Sequence, residues 1–351
     1  MALYNWPDKI SKPAEIPKLY GDGLIGCAFD QDDDDEFCQM VTDSGGTPDG
    51  QAIATDHGFA DDGEGELSIP FIYVAKIYPH IWPGPAQVYG DCVSHSGLNA
   101  CAASYGVECA LNQVDPVTGK VERLPGPEDG VTEESHRQGL WATETHYGFR
   151  NKSSHGWNIS ACAKVMLSKS GLVIRKNYPD LGIDLTRYPC REASKWGAKP
   201  PPPEVVEMTS KHLFRTATKL TTWEEWRAYL SNGFCLGTDG GENFSKSRDE
   251  NGVTTRKGKA AHSMAVLGFD DRDETKAIYG SSLALFQNSW GRFYRGGNKI
   301  RNSRHSINDG AFWVRTSEIS RGGKPTRRAI AFASAAGWSK RTLPDLNPNF
   351  K

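Results

Sequence analysis

The chain has 351 residues, 38% of them hydrophobic and 24% charged, which is enough for one large domain or two modest ones and too balanced for a disordered chain. Its 41 Lys and Arg stand against 43 Asp and Glu, a net charge of −2, so a polybasic nucleic-acid binder is excluded as an expectation. No run of 18 apolar residues occurs, so neither a transmembrane helix nor a membrane partner is expected.

In chain order, the opening MALYNWPDKISKPAEIPK has no basic start followed by an apolar stretch. It predicts no secretory signal and a cytoplasmic location. Residues 1–80 carry 16 acidic side chains against Lys9, Lys12, Lys18 and Lys76, which leaves the remainder basic. The densest run is Asp30, Asp32, Asp33, Asp34, Asp35 and Glu36; it has the carboxylates but not the Gly and distal Glu of an EF-hand calcium loop. Residues 1–66 are therefore expected to form an acidic extension, either solvated or packed on a basic body or partner. Ile69 to Trp82 is the first strongly apolar stretch and should begin the folded body. After Pro83 and Pro85, the spacings of Gly97, Leu98, Cys101, Ala102 and Tyr105 predict a helix with Cys92 in its first turn. Residues 110–135 read as an inserted loop.

Pro200 to Pro203 form a stiff connector and a candidate boundary between a helical part, residues 67–205, and a strand-rich part, residues 206–340, before a tail at 341–351. Thr222 can cap a helix with Glu225 three residues on, and Gly233 stops it. FCLGTDGG, AHSMAVLGFDD, AIYGSSLALFQNSW and GAFWVRTSEI read as strands. The basic residues Arg321, Lys324, Arg327, Arg328, Lys340 and Arg341 are expected on a solvated surface, with docking to the acidic arm or a larger assembly as the alternative. The eight cysteines are scattered without a CxxC pair, so neither a zinc site nor another cofactor is expected.

Three residues suggest chemistry when taken together. Cys92 stands where the partial positive charge of a helix N-terminus favours thiolate, the attacking form, although Asp91 beside it acts in the opposite sense unless it caps the helix. Taken alone, Cys92 is more simply a buried structural thiol. His262 is the only titratable group on its apolar strand before Asp270, and Asn288 lies in QNSWG. A cysteine nucleophile needs a histidine to take its proton, and that histidine needs a third polar group to fix its tautomer and ring angle.

Gln87 followed by Cys92, then AHSMAVLGFDD, then QNSWG with Gly296 and Gly297, resemble the Gln, Cys, His and Asn blocks of the papain-like cysteine peptidases. His155–Gly156 followed by Ser160–Ala161 is similar to the glycine-lined segment of that family's substrate groove, and the resemblance spans roughly residues 67–320, in the manner of divergent bacterial and phage members. It implies an α+β, papain-like two-domain fold: a helical domain holding Cys92, a β-barrel-like domain holding His262 and Asn288, and a cleft between them. It implies an endopeptidase acting on a polypeptide substrate through a Cys92–His262–Asn288 triad, with Gln87 at the oxyanion and His155, Gly156, Ala261 and Trp290 lining the substrate site. Gln87 stands one residue closer to the cysteine than the family pattern. An alternative register sets His95 at the nucleophile position, which would make the chain an inactive homologue. A papain-fold structural or docking protein of a larger assembly such as a virion, with little or no turnover, is the other expectation.

Overall fold

The computed structural model describes Gln39, Phe59 and residues 62–87, 89–111, 131–150, 156–188, 195–196, 199–210 and 213–335. The acidic run at 30–36, most of the expected 110–135 loop, and Lys340 and Arg341 lie outside the described residues.

Eight helices are described: α1 (Phe71–Ile77), α2 (Cys92–Leu111), α3 (Glu133–Arg137), α4 (Thr143–Gly148), α5 (Ile159–Ser168), α6 (Pro203–Ser210), α7 (Trp223–Ser231) and α8 (Asp273–Tyr279). The 69–82 apolar stretch forms α1, whose Phe71, Val74 and Ile77 are buried. It crosses α2 at Gly106, where a Cβ would lie 2.3 Å from the backbone nitrogen of Val74, so only glycine allows this approach. The Pro200–Pro203 connector ends in a helix, Pro203 opening α6; the fixed φ of proline suits a first helical position. Helix α7 starts as expected: the Thr222 side chain accepts from the Glu225 N–H at 3.2 Å, while the Glu225 carboxylate accepts from the Thr222 N–H at 3.0 Å.

The strands of the main sheet are β1 (Leu67–Ser68), β2 (Phe214–Leu220), β3 (Leu236–Phe244), β4 (Val253–Thr254), β5 (Arg256–Asp270), β6 (Leu283–Gln287), β7 (Ala311–Arg315) and β8 (Arg328–Ala335). Their order is β2-β8-β3-β5-β6-β7-β4, with β1 paired to the far end of β5. The sheet is open. The two edge strands β2 and β4 stand at opposite ends of the order, and β4, two residues long, offers almost nothing to pair with. This corrects the expected barrel-like closure among the described residues, because a barrel requires its edges to meet. The segment expected as one strand from Ala277 to Trp290 also divides: Ala277 to Tyr279 end helix α8, Gly280 turns the chain with φ 71°, and the strand begins at Leu283.

Helix α2 lies against β5 and β3, and one buried apolar cluster takes in Ile69, Val74, Leu98, Cys101, Cys162, Leu236, Val266, Phe286 and Phe332. The interior is thus continuous across residue 205. The register of β3 on β5 sets Gly240 opposite His262, and it shifts between Gly240 and Glu242. Such an irregularity re-aims side chains beside it.

Of the basic residues expected on the surface, Arg327 is buried and Arg328 half-buried. Arg327 is 2% exposed and pairs with Glu242 at 3.1 Å; Arg328 grips both carboxylate oxygens of Asp239 at 2.8 Å. Arg321 and Lys324 are exposed.

Candidate active site

His262 sits near the middle of β5, and Asn288 follows the last residue of β6. The two strands are neighbours, so residues 26 apart in sequence meet across the ladder. His262 Nε2 lies 2.8 Å from Asn288 Oδ1. The amide orientation follows from its other contacts: Oδ1 also accepts from the Ser289 N–H at 2.7 Å, and Nδ2 donates to Tyr294 Oη at 2.9 Å. The oxygen therefore faces the imidazole, Nε2 carries its hydrogen, and Nδ1 is the nitrogen that takes a proton. The ring of Trp290 stacks on His262 with centroids 4.7 Å apart at 23°.

Cys92 is the first residue of α2, and the His95 N–H donates to the Asp91 carbonyl at 3.1 Å. The thiol lies against the backbone and hydroxyl of Ser263, the residue after His262. Helix packing on β5 thus sets the start of α2, which holds Cys92, against the strand that carries His262. Gln87 is bonded to the segment after β6. Its N–H donates to the Ser289 carbonyl at 2.7 Å, its Oε1 accepts from Ser289 Oγ, and its Nε2 donates to the Tyr89 carbonyl at 2.9 Å. The candidate oxyanion donor is therefore tied to the residue after Asn288.

The charge states follow from burial. Burial pushes the Cys92 thiol up to about 12, with the Asp91 charge adding to the rise and Ser263 opposing it. Burial pushes His262 down to about 3, the Asn288 bond opposing and Arg327 adding to the fall. Both groups rest neutral in this environment.

His95, the alternative nucleophile position, lies one turn into α2. Its Nε2 is 3.6 Å from Asp91 Oδ2, and its ring meets Tyr188 edge-on at 5.0 Å. Tyr188 Oη contacts both Asp91 carboxylate oxygens at 3.2 and 3.0 Å. Burial raises Asp91 to about 7 in spite of the Tyr188 bond. Below it, Arg175 and Glu144 form a fully buried fork-to-fork pair at 2.9 and 2.8 Å.

Among the residues expected to line a substrate site, His155 lies outside the described residues. Gly156, with φ 92°, gives its carbonyl to Arg150 Nη1 at 3.2 Å. Ala261 is half-buried one position before His262, and Trp290 is buried over the imidazole. Sequence reasoning missed Tyr294, Ser289, Tyr188 and the Arg327–Glu242 pair. Ser289, inside QNSWG, and Tyr294, six residues beyond Asn288 in NSWGRFY, had a nearby signal. No cluster of metal-ligating side chains occurs among the described residues. No described helix is long and apolar enough to cross a membrane.

No family model and no curated protein matches this chain. Among solved structures it is similar to xylellain, a cysteine protease from Xylella fastidiosa, with a TM-score of 0.40 and 16% identity over 78% of this chain and 92% of that one. It is also similar to procathepsin B S9 from Trypanosoma congolense, with a TM-score of 0.39 and 11% identity over 75% and 76%.

Proposed function

We propose that the chain is a papain-like cysteine endopeptidase in which Cys92 is the nucleophile, His262 the base and then the acid, and Asn288 the residue that orients His262. The observation that carries the reading is the His262 Nε2–Asn288 Oδ1 bond under the Trp290 ring, beside the helix start that holds Cys92. The Cys92 proton passes to His262 Nδ1, and the thiolate sulfur bonds to the scissile carbonyl carbon. The oxyanion so formed receives hydrogen bonds from the Cys92 backbone N–H and the Gln87 amide, each worth about 3 kcal/mol at the transition state. The imidazolium returns its proton to the leaving nitrogen as the C–N bond breaks. Water, giving a proton to His262, then bonds to the acyl carbon; the C–S bond breaks, the acyl group leaves as a carboxylic acid that ionises in solvent, and the sulfur recovers its proton from the imidazolium. Because proton transfer from thiol to imidazole leaves the pair's net charge unchanged, it suits a buried site better than ionisation of either group alone.

The test is intact-mass analysis after an irreversible epoxide-type thiol inhibitor, with the modified residue mapped, alongside cleavage of an unfolded protein by wild type and Cys92→Ala. Single labelling at Cys92 and loss of cleavage in the variant are expected. Cleavage by Cys92→Ala at the wild-type rate refutes the reading.

One observation favours a second reading, a papain-fold structural or docking component of a larger assembly, such as a virion, with little turnover. Gln87, Cys92, His262 and Asn288 are each no more than 2% exposed. Absence of Cys92 labelling in the native protein, with labelling after denaturation, selects that reading.

A further inference from the structure

The element behind His262 is charged, which is unusual for the back of a strand in the middle of a sheet. Arg327 enters β8 from the preceding turn with its guanidinium inside the protein. Nη2 donates to the His262 carbonyl at 2.7 Å, Nη1 to Glu242 Oε2 at 3.1 Å, and Nε to Thr238 Oγ1 at 3.2 Å. Its flat face lies 5.4 Å from the Phe286 ring centre. Glu242 is held in turn by the Thr326 hydroxyl at 2.6 Å, and the Thr238 hydroxyl donates to the Met264 carbonyl at 2.7 Å.

The space for this group comes from Gly240, the cross-strand partner of His262. A Cβ at Gly240 would stand 2.7 Å from Arg327 Cγ, from Arg327 Nη1 and from Glu242 Oε2. A missing side chain opposite the histidine thus makes the socket, and the register shift after Gly240 turns Glu242 into it. One planar fork contacts three elements: β3 through Thr238 and Glu242, β5 through the carbonyl of His262, and its own approach to β8. A lysine, with a single point of donation, does not span these contacts in one geometry.

We propose that Arg327, neutralised by Glu242, is a positioning residue for His262: it fixes the main chain from which the imidazole reaches Asn288, and Glu242 keeps its charge from opposing the imidazolium. The inference rests on the reading of His262 as the base. The groups that bear on His262 are Asn288, with Tyr294 behind it, from the β6 side, His95 from α2, and Arg327, with Glu242 of β3 on its far side, from the approach to β8; Cys92 of α2 and Asp239 of β3 stand against the next residue, Ser263. Asp239 is engaged by Arg328. Arg327 disfavours protonation of His262, and it also holds the Glu242 carboxylate below its usual range even though burial acts the other way. Removal of the Glu242 charge leaves a buried cation near the imidazole with its partner gone.

The experiment follows the imidazole of His262 by NMR across pH in the full chain, together with the pH dependence of Cys92 alkylation by iodoacetamide. In Glu242→Gln, which keeps shape and hydrogen bonding, the His262 midpoint in the folded protein is expected to fall by about one unit, a tenfold change. Arg327→Lys keeps the cation, so its midpoint stays within about 0.3 unit while alkylation slows about tenfold at every pH. If Glu242→Gln does not fold, the Arg327→Lys pair of readouts carries the test alone, since a merely structural arginine changes stability and leaves alkylation of the folded fraction as in wild type. A Glu242→Gln midpoint equal to wild type, or unslowed alkylation in folded Arg327→Lys, overturns the proposal. The His262 titration is read without turnover, so failure of this inference is distinct from failure of the peptidase reading, which Cys92→Ala decides.

Discussion

Asn288→Ala tests both the stability and the chemistry assigned to one amide. Asn288 is 1% exposed, and three groups depend on it: His262 Nε2, the Ser289 N–H and Tyr294 Oη. Truncation leaves these buried groups with a partner lost, at about 1–3 kcal/mol for each one that water does not reach. With two of the three left unsatisfied the cost is about 2–6 kcal/mol, near the upper end for a single substitution. The imidazole also loses the acceptor that holds its hydrogen on Nε2. The wrong tautomer then presents an N–H to the thiol in place of a lone pair, and alkylation of Cys92 at neutral pH is expected to fall on the order of 100-fold, a typical general-base contribution. Urea denaturation followed by tryptophan fluorescence reads the first effect, and mass-spectrometric alkylation rates in the folded variant read the second. A variant within about 1 kcal/mol of wild type whose Cys92 reacts at the wild-type rate would refute the assignment of Asn288.

Asp91→Asn is expected to make Cys92 ionise at lower pH. Burial raises Asp91 to about 7, so its charge grows as pH rises through that value and opposes the thiolate. The asparagine stays neutral, so alkylation should be roughly tenfold faster above pH 7 and little changed below pH 6; an unaltered profile refutes the coupling. Glu144→Ala strands the fully buried Arg175, and a loss of about 3–5 kcal/mol in urea denaturation is expected, with less than about 1 kcal/mol counting against it. Gly240→Ala forces a methyl into the Arg327–Glu242 socket, and a loss of about 1–3 kcal/mol in the same assay is expected. A neutral result there would mean that the socket is wider than its contacts indicate.

The parts of this molecule legible in sequence are those whose signal is local. The capping box at Thr222 and Glu225 marked the start of α7, because the residues that satisfy the helix end are three positions apart. The apolar run around His262 marked β5, a central strand buried along most of its length. Cys92 at a helix start and the QNSWG block indicated the candidate site through short motifs. The groups that sequence reading missed depend on register. Nothing around Arg327 distinguishes it from the exposed Arg321 until β8 is placed beside β3, which puts Glu242 and the His262 carbonyl within its reach. Asp91 was recognised as a neighbour of the thiol, but its partner Tyr188 lies 97 residues away. The open sheet was likewise invisible, since closure depends on whether β2 and β4 meet, a property of the strand order and of no single segment.

The position of β8 has a consequence for how the chain is made. It is the last strand described, yet it lies between β2 and β3, pairing Ala329 with both Leu220 and Thr238. While residues 328–335 are still inside the ribosome tunnel, β2 and β3 have already emerged, each with a bare ladder edge facing the gap. The nascent polypeptide must hold that slot open, or shield it with a chaperone, until translation delivers the strand that fills it.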